Sequence, residues 1–280
     1  KSIRFGVDML NELAALVHAQ IGDRIMLVTD PGMMATGIVD RAVGLLSDGG
    51  IAVELFGDVQ ADPPEHVVLS AVDAARSADA QGIVGLGGGS SLDVAKLVAL
   101  LVPGAETLAD VYGVDKARGP RLPLILVPTT AGTGSEVTPI SIVTTGANEK
   151  MGVVSPVLLP DIALLDPALT YGLPPHITAA TGIDAMVHAI EAFASASPNN
   201  NPLSRILATQ ALTLMGRSLL KAVEDGADQA ARSDMLLGSM LAGQAFANSP
   251  VAAVHALAYP LGGHFHIPHG LSNALVLPHV

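Results

Sequence analysis

Cysteine is absent from the 280 residues. Without thiols there are no disulfides, no thiolate metal sites and no cysteine nucleophile. Aromatic residues make up only 3% of the chain and charged residues 14%, while half of it is hydrophobic and the mean hydropathy is +0.49. That composition excludes disorder and demands a compact fold. Long apolar runs are missing too. Lys, Asp, His, Pro or Gly interrupts each one before the roughly 18 residues that a membrane helix needs. Basic residues are scarce, 14 Lys and Arg against 26 Asp and Glu, and the resulting charge of −12 repels phosphate backbones, which argues against nucleic acid as a partner. No secretory leader is read at the first residues. A reducing cytoplasm is therefore the expected compartment, with no membrane involvement.

Charge is also distributed unevenly. Met235 to Val280 holds no Asp, Glu, Lys or Arg, but carries five of the nine histidines: His255, His264, His266, His269 and His279. A stretch so uncharged is expected to be largely buried. Buried imidazoles need hydrogen-bond partners or a metal.

The first part of the chain alternates short apolar runs with helical periods, the pattern of a parallel sheet covered on both faces. Strands are expected at Ile25 to Asp30, Ile51 to Leu55, Gly82 to Leu86 and Pro123 to Val127, with further ones at Ile140 to Thr144, Met151 to Ser155 and Ile162 to Asp166. Helices are expected at Met34 to Ser47, Pro64 to about Ala78 and Ser91 to Leu101. Past Leu173-Pro174-Pro175 the texture turns to long Ala/Leu-rich segments of 3.6 period, read as helices near 176–196, 201–224, 228–247 and 251–259. The reading is an α/β nucleotide-binding domain with a parallel sheet over 1–172, followed by an all-α domain over 173–280.

Ile83 to Lys96 reads as a strand, a glycine turn and a helix start. Gly87, Gly88 and Gly89 let the backbone curl and admit a ligand without Cβ clashes, while N–H groups of the helix start attract an anion such as a diphosphate. The same residues equally make a tight turn capped by Ser90 or Ser91, with Asp93 answering the helix dipole. Their spacing matches neither the dinucleotide fingerprint nor a Walker loop. Asp30, after the first apolar run, could accept both ribose hydroxyls of an adenosine and repel a 2′-phosphate, or simply head the turn before Pro31-Gly32. Pro128 to Glu136 has more hydroxyls than a connector needs and reads as a ligand-contacting loop. It lacks the spacing of a serine nucleophile elbow.

In the helical half, Asp184 and His188 stand four apart on one helix face, with Glu191 three residues further. They can grip one ion, or form an exposed pair. His255 and His269 are each, taken singly, core histidines or ligands. Together one carboxylate and three imidazoles suit Fe(II) or Zn(II), with zinc–nitrogen bonds of about 2.1 Å.

Four segments in order, Gly87-Gly88-Gly89-Ser90 with Asp93 and Lys96, Pro128 to Thr133 with Glu136, Gly182-Ile183-Asp184-Ala185 with His188, and Pro268-His269-Gly270, make the chain similar to the iron-dependent (group III) alcohol dehydrogenase family, part of the dehydroquinate synthase-like superfamily. The resemblance implies an N-terminal NAD(P)-binding α/β domain, a helical C-terminal domain, a divalent metal in the cleft between them and a dimer. It implies Asp184, His188, His255 and His269 as ligands of Fe2+, or of Zn2+. It places Gly87, Gly88, Gly89 and Ser90 on the pyrophosphate of NAD, preferred to NADP, with Asp93 in the same segment. Asp30 falls on the adenosine ribose, Thr129, Thr130 and Thr133 around the nicotinamide half, Lys150 near its ribose, and Phe246 along the cleft.

Several members carry a histidine one turn after the third ligand; here that position is Tyr259, so Tyr259 or His266 becomes the candidate for passing the proton. Family chains continue past Leu277-Pro278-His279-Val280 through further helices, and the helical domain is expected to be incomplete, with an apolar face open. The implied reaction is hydride transfer between small alcohols and aldehydes or ketones. Other readings are a reductase of maleylacetate type, a lyase like dehydroquinate synthase, and an inactive nucleotide- and metal-binding relic. The first two take acidic substrates that want cationic clamps, and residues 233–280 contain no Lys or Arg.

Overall fold

The computed structural model describes every residue except Ala147, Asn148 and His266, and the side chain of His264. By internal contacts the chain divides into two units, one made of Lys1–Thr129 with Pro139–Asp166, the other of Thr130–Thr138 with Pro167–Val280.

The first unit runs β1 (Ser2–Phe5), α1 (Leu13–Gln20), β2 (Arg24–Val28), α2 (Pro31–Met34), α3 (Ile38–Asp48), β3 (Ala52–Phe56), α4 (Glu65–Ser77), β4 (Gly82–Gly87), α5 (Gly89–Leu101), α6 (Leu108–Val111), β5 (Gly113–Val114), β6 (Leu124–Pro128), β7 (Ile140–Thr145), β8 (Glu149–Val154) and β9 (Ile162–Leu165). Six strands form one parallel sheet in the order β1-β9-β6-β4-β2-β3. The inner strands β4, β6 and β9 are buried along their whole length, because crossover helices cover both faces of such a sheet. Continuous apolar runs such as Leu124-Ile125-Leu126-Val127 are the sequence record of that burial. Met26, Val28, Ile83, Leu92, Leu97 and Leu126 belong to one core cluster.

The sequence reading did not foresee α1, α6, β5 or α11, and it differs in further details. The helix expected over Met34 to Ser47 is two helices, α2 and α3, separated at Gly37 with φ 77°, a left-handed conformation that suits glycine. β7 and β8 lie outside the parallel sheet: they pair antiparallel and, with β5, make a second sheet of three strands. The connection between β7 and β8 is too short for a parallel crossover, which takes a dozen residues or more. β1 was not foreseen as a strand; it is fully exposed and so carries no apolar run to announce it.

The second unit holds α7 (Pro175–Ala194), α8 (Pro202–Glu224), α9 (Gln229–Asn248), α10 (Ala253–Phe265) and α11 (His269–Val276). α7, α8 and α9 pack on one another, and α11 packs on α7 and α10. α8 begins with an Asn201 cap whose Oδ1 accepts from Leu203 and Ser204 N–H, followed by Pro202 in the first turn. Buried Arg232 donates to Gly226 O, Thr178 Oγ1 and Leu173 O, tying the start of α9 to that of α7.

The expectation that Met235 to Val280 is largely buried holds for α9 but not for the residues after it. α9 buries Met235, Leu236, Met240 and Phe246, but Leu257, Phe265, Leu271, Leu275 and Val280 are exposed. Each of the last two helices packs one face only, and uncharged side chains also fill the other. No helix among the described residues is long and apolar enough to cross a membrane.

Candidate metal centre and nucleotide turn

Asp184, His188 and Glu191 sit at i, i+4 and i+7 of α7 and share one buried face. His255 comes from α10 and His269 from the first position of α11. One ligand atom each from Asp184, His188, His255 and His269 lies within 4.8 Å of the others. Three of the four side chains are buried, and His269 is 32% exposed.

The ring nitrogens are sorted by what lies behind them. Glu191 Oε2 accepts from His255 Nδ1 at 2.6 Å, and its Oε1 accepts from Val254 N–H at 2.7 Å. This leaves His255 Nε2 for the cluster. Burial pushes the Glu191 carboxyl up, but His255 and the amides of Ala252 and Val254 outweigh it, and the group titrates below its ordinary value. His188 donates Nδ1–H to Gly132 O at 3.3 Å, so Nε2 is again the free nitrogen. Its ring is stacked on Phe246 and on His255, with centroids at 4.5 and 4.6 Å. Burial pushes the His188 pKa down to about 4 against the pull of Asp184, which keeps the imidazole neutral and its lone pair available at pH 7. Two buried carboxylates thus face imidazoles and no basic side chain of Met235 to Val280, an arrangement a divalent cation would neutralise. The donor set fits such an ion.

Close backbone approaches hold the helices in place. A Cβ on Gly270 would clash with the carbonyl oxygen of Ala180 and lie 2.7 Å from its carbon. Gly134, at φ 58°, backs onto Gly243 of α9, where a Cβ would lie 2.9 Å from Gly134 Cα and O. Gly132, whose carbonyl meets His188, is pressed against Thr181. Tyr259 lies beside the cluster, stacked on His269 at 6.0 Å and edge-on to His255 at 6.4 Å. Its hydroxyl is pushed up by burial and by the charges of Asp184 and Glu191. His266 lies outside the described residues.

In the first unit, β4 ends at Gly87 with φ 154°. A Cβ there would lie 2.8 Å from Ser91 and 3.1 Å from Asp30 Oδ2. Gly88 precedes α5, and Gly89 and Ser90 open it; the helix start has no side-chain cap, so neither Ser90 nor Ser91 caps it as a tight turn would have allowed. Ser91 instead donates to Asp30 Oδ2 at 2.9 Å, while Asp30 Oδ1 accepts from Met33 N–H and caps α2. Asp30 therefore stands directly beside the glycine turn. Asp93 accepts from Ile142 N–H at 2.9 Å. Thr129 is buried at the end of β6 with its hydroxyl toward Met33 Sδ. Lys150, on β8, pairs with Asp62. Thr130 is half-buried, and Thr133 Oγ1 accepts from Ser135 N–H.

One member of the cluster was not foreseen. Asn273, on α11, is buried and its Nδ2 donates to Asp184 Oδ1 at 2.6 Å. Its place four residues after His269, hence on the same helix face, was the available signal.

The family model for iron-containing alcohol dehydrogenases matches residues 1–167, and the model for the C-terminal part of the Fe-containing alcohol dehydrogenase family matches 178–280. Long-chain-alcohol dehydrogenase 1 of Geobacillus thermodenitrificans is 46% identical over 278 residues, 98% of this chain and 70% of that protein. A crystal structure of 1,3-propanediol oxidoreductase superposes with a TM-score of 0.95 at 35% identity, covering 100% of this chain and 73% of that one. The sulfoacetaldehyde reductase of Bifidobacterium kashiwanohense, solved in complex with NAD+, gives 0.90 at 34% identity, covering 99% and 73%. The chain belongs to the iron-containing alcohol dehydrogenase family.

Proposed function

We propose that this chain, a metal-dependent and NAD-linked oxidoreductase that interconverts alcohols with aldehydes or ketones by hydride transfer, holds its cation on Asp184, His188, His255 and His269. The convergence of four donor atoms within 4.8 Å carries the reading. Iron(II), or zinc(II), bound there supplies the Lewis acidity that lowers the pKa of an alcohol.

The side chains divide the remaining work. His188 stays neutral because it is buried, so it keeps a nitrogen lone pair at working pH. Glu191 turns His255 so that Nε2 faces the cluster. Phe246, stacked on His188, excludes water from that side. Tyr259 keeps its phenolic proton, since its titration is pushed up, and donates it during carbonyl reduction; His266 is the alternative donor. For the cofactor, the amides of Gly87, Gly88, Gly89 and Ser90 take the pyrophosphate, and Asp30 takes the ribose hydroxyls and disfavours NADP. Asp93, Thr129, Thr130, Thr133 and Lys150 complete that set. The lack of Lys and Arg over 233–280 favours an uncharged substrate. The protein works in the cytoplasm as a dimer, a state that light scattering after gel filtration would test.

The experiment is to strip the protein with a chelator, reload it with Fe2+ without oxygen, and follow absorbance at 340 nm with NAD and a panel of alcohols. Activity is expected to return with the metal, and His269→Ala to lose metal uptake and turnover together. Turnover retained in metal-free His269→Ala would refute the assignment.

A further inference from the structure

The Asp30 carboxylate is held at both of its oxygens. Oδ1 accepts from Met33 N–H at 3.0 Å, a bond within the turn that opens α2, and Oδ2 accepts from the Ser91 hydroxyl at 2.9 Å, across 61 residues. The two partners differ in kind. The Met33 amide is backbone of the same turn, whereas the second bond depends on one side chain at the third position of α5. Ser91 is 1% exposed. A serine in a first helical turn ordinarily bonds to nearby backbone, but this hydroxyl reaches across to another segment, and the helix start has no side-chain cap. Gly87 gives the pair its room, since a Cβ there would lie 2.8 Å from both Cβ and Oγ of Ser91 and 3.1 Å from Asp30 Oδ2. Asp30 itself is only half-buried. Each carboxylate oxygen can accept about two hydrogen bonds, so each keeps a lone pair for one hydroxyl of a vicinal diol.

We propose that Ser91 is a positioning residue for the choice of cofactor: its hydroxyl locks the Asp30 carboxylate in the orientation that receives the two ribose hydroxyls of NAD and sets a fixed negative charge against the 2′-phosphate of NADP. The inference rests on the reading of Asp30 given above. With the Met33 bond alone the carboxylate is tethered at one oxygen and free to pivot about it; the Ser91 bond removes that freedom. A pivoting carboxylate must be ordered again before it meets both hydroxyls, which weakens NAD. It can also turn away from a phosphate, which relieves the like-charge repulsion and favours NADP. Both effects move the preference in the same direction.

The test uses metal-loaded wild type, Ser91→Ala, Asp30→Ala and the double variant, with the Kd of NAD and of NADP measured by titration calorimetry. Ser91→Ala should weaken NAD and cut the preference for NAD over NADP by about tenfold, the fold-change that one hydrogen bond to a charged group carries. Ser91→Cys, close in size but a weak donor, should repeat that result with the packing kept. In the Asp30→Ala background the loss of Ser91 should leave the ratio where it is, because Ser91 acts only through Asp30. A role confined to folding would weaken both cofactors alike, with or without Asp30. A wild-type ratio in Ser91→Ala, where Asp30→Ala changes it, would overturn the proposal, and so would a Ser91→Ala effect of equal size in the presence and absence of Asp30. An Asp30→Ala protein that keeps the wild-type ratio would instead bring down the assignment of Asp30 to the ribose, and this inference with it.

Discussion

Gly270→Ala is the sharpest perturbation of the metal cluster that leaves every donor in place. Gly270 follows His269 on α11 and lies against Ala180, one turn before Asp184 on α7. The new Cβ would sit 2.7 Å from the Ala180 carbonyl carbon, whereas ordinary contact begins at 3.4 Å. Backbone on both sides cannot swing aside, so α11 must withdraw by about 0.7 Å or more. His269 Nε2, now 3.6 Å from Asp184 Oδ1, moves with it. Metal–ligand distances tolerate only about ±0.2 Å, so metal affinity should fall by about 10- to 100-fold, as for lost support around a ligand.

Stability reports the change less clearly. Overpacking costs about 1–3 kcal/mol, but replacing a helical glycine by alanine returns up to about 1 kcal/mol. Gly216→Ala separates the two effects, because Gly216 lies within α8 with nothing within 4 Å of a new Cβ. It should stabilise by about 0.5–1 kcal/mol and leave metal binding untouched. Chelator competition measures affinity and thermal unfolding measures stability. Wild-type metal affinity in Gly270→Ala would refute the claim that this backbone contact sets the position of His269.

Two further outcomes follow from polar contacts, one in each unit. Glu191→Gln keeps an acceptor for Val254 N–H but removes the charge opposite His255 Nδ1; metal affinity by chelator competition should drop about 10- to 100-fold while the circular dichroism spectrum is retained. In the first unit, Arg121 clasps Asp161 through Nη1–Oδ2 at 2.7 Å and Nη2–Oδ1 at 3.0 Å, and Leu124 N–H adds a third bond. Burial raises the Asp161 pKa, but these partners and Lys1 outweigh it and hold it below 3.8. The folded state thus binds this proton less readily than the unfolded chain, so the contribution is present above about pH 4 and lost as pH falls through the lowered value. Asp161→Asn should cost about 1–3 kcal/mol at pH 7 in urea titrations, with the difference from wild type shrinking toward pH 2–3.

Local pattern and chemistry on a single segment were legible before any fold was known. The apolar runs at β2, β4, β6 and β9 announced a parallel sheet because both of its faces are covered. The 3.6 period announced α7 to α10, and the spacing of Asp184 and His188 placed two donors on one face. What the chain could not declare are meetings between segments far apart in sequence. The pairing of β7 with β8 outside the main sheet and the contact of Glu191 with His255 across 64 residues both depend on how helices and strands pack. Asn273 shows the boundary between the two kinds of information. Its helical register with His269 is written in the chain, but only packing of α11 against α7 through Gly270 brings its amide to Asp184, because backbone approach in three dimensions has no one-dimensional period.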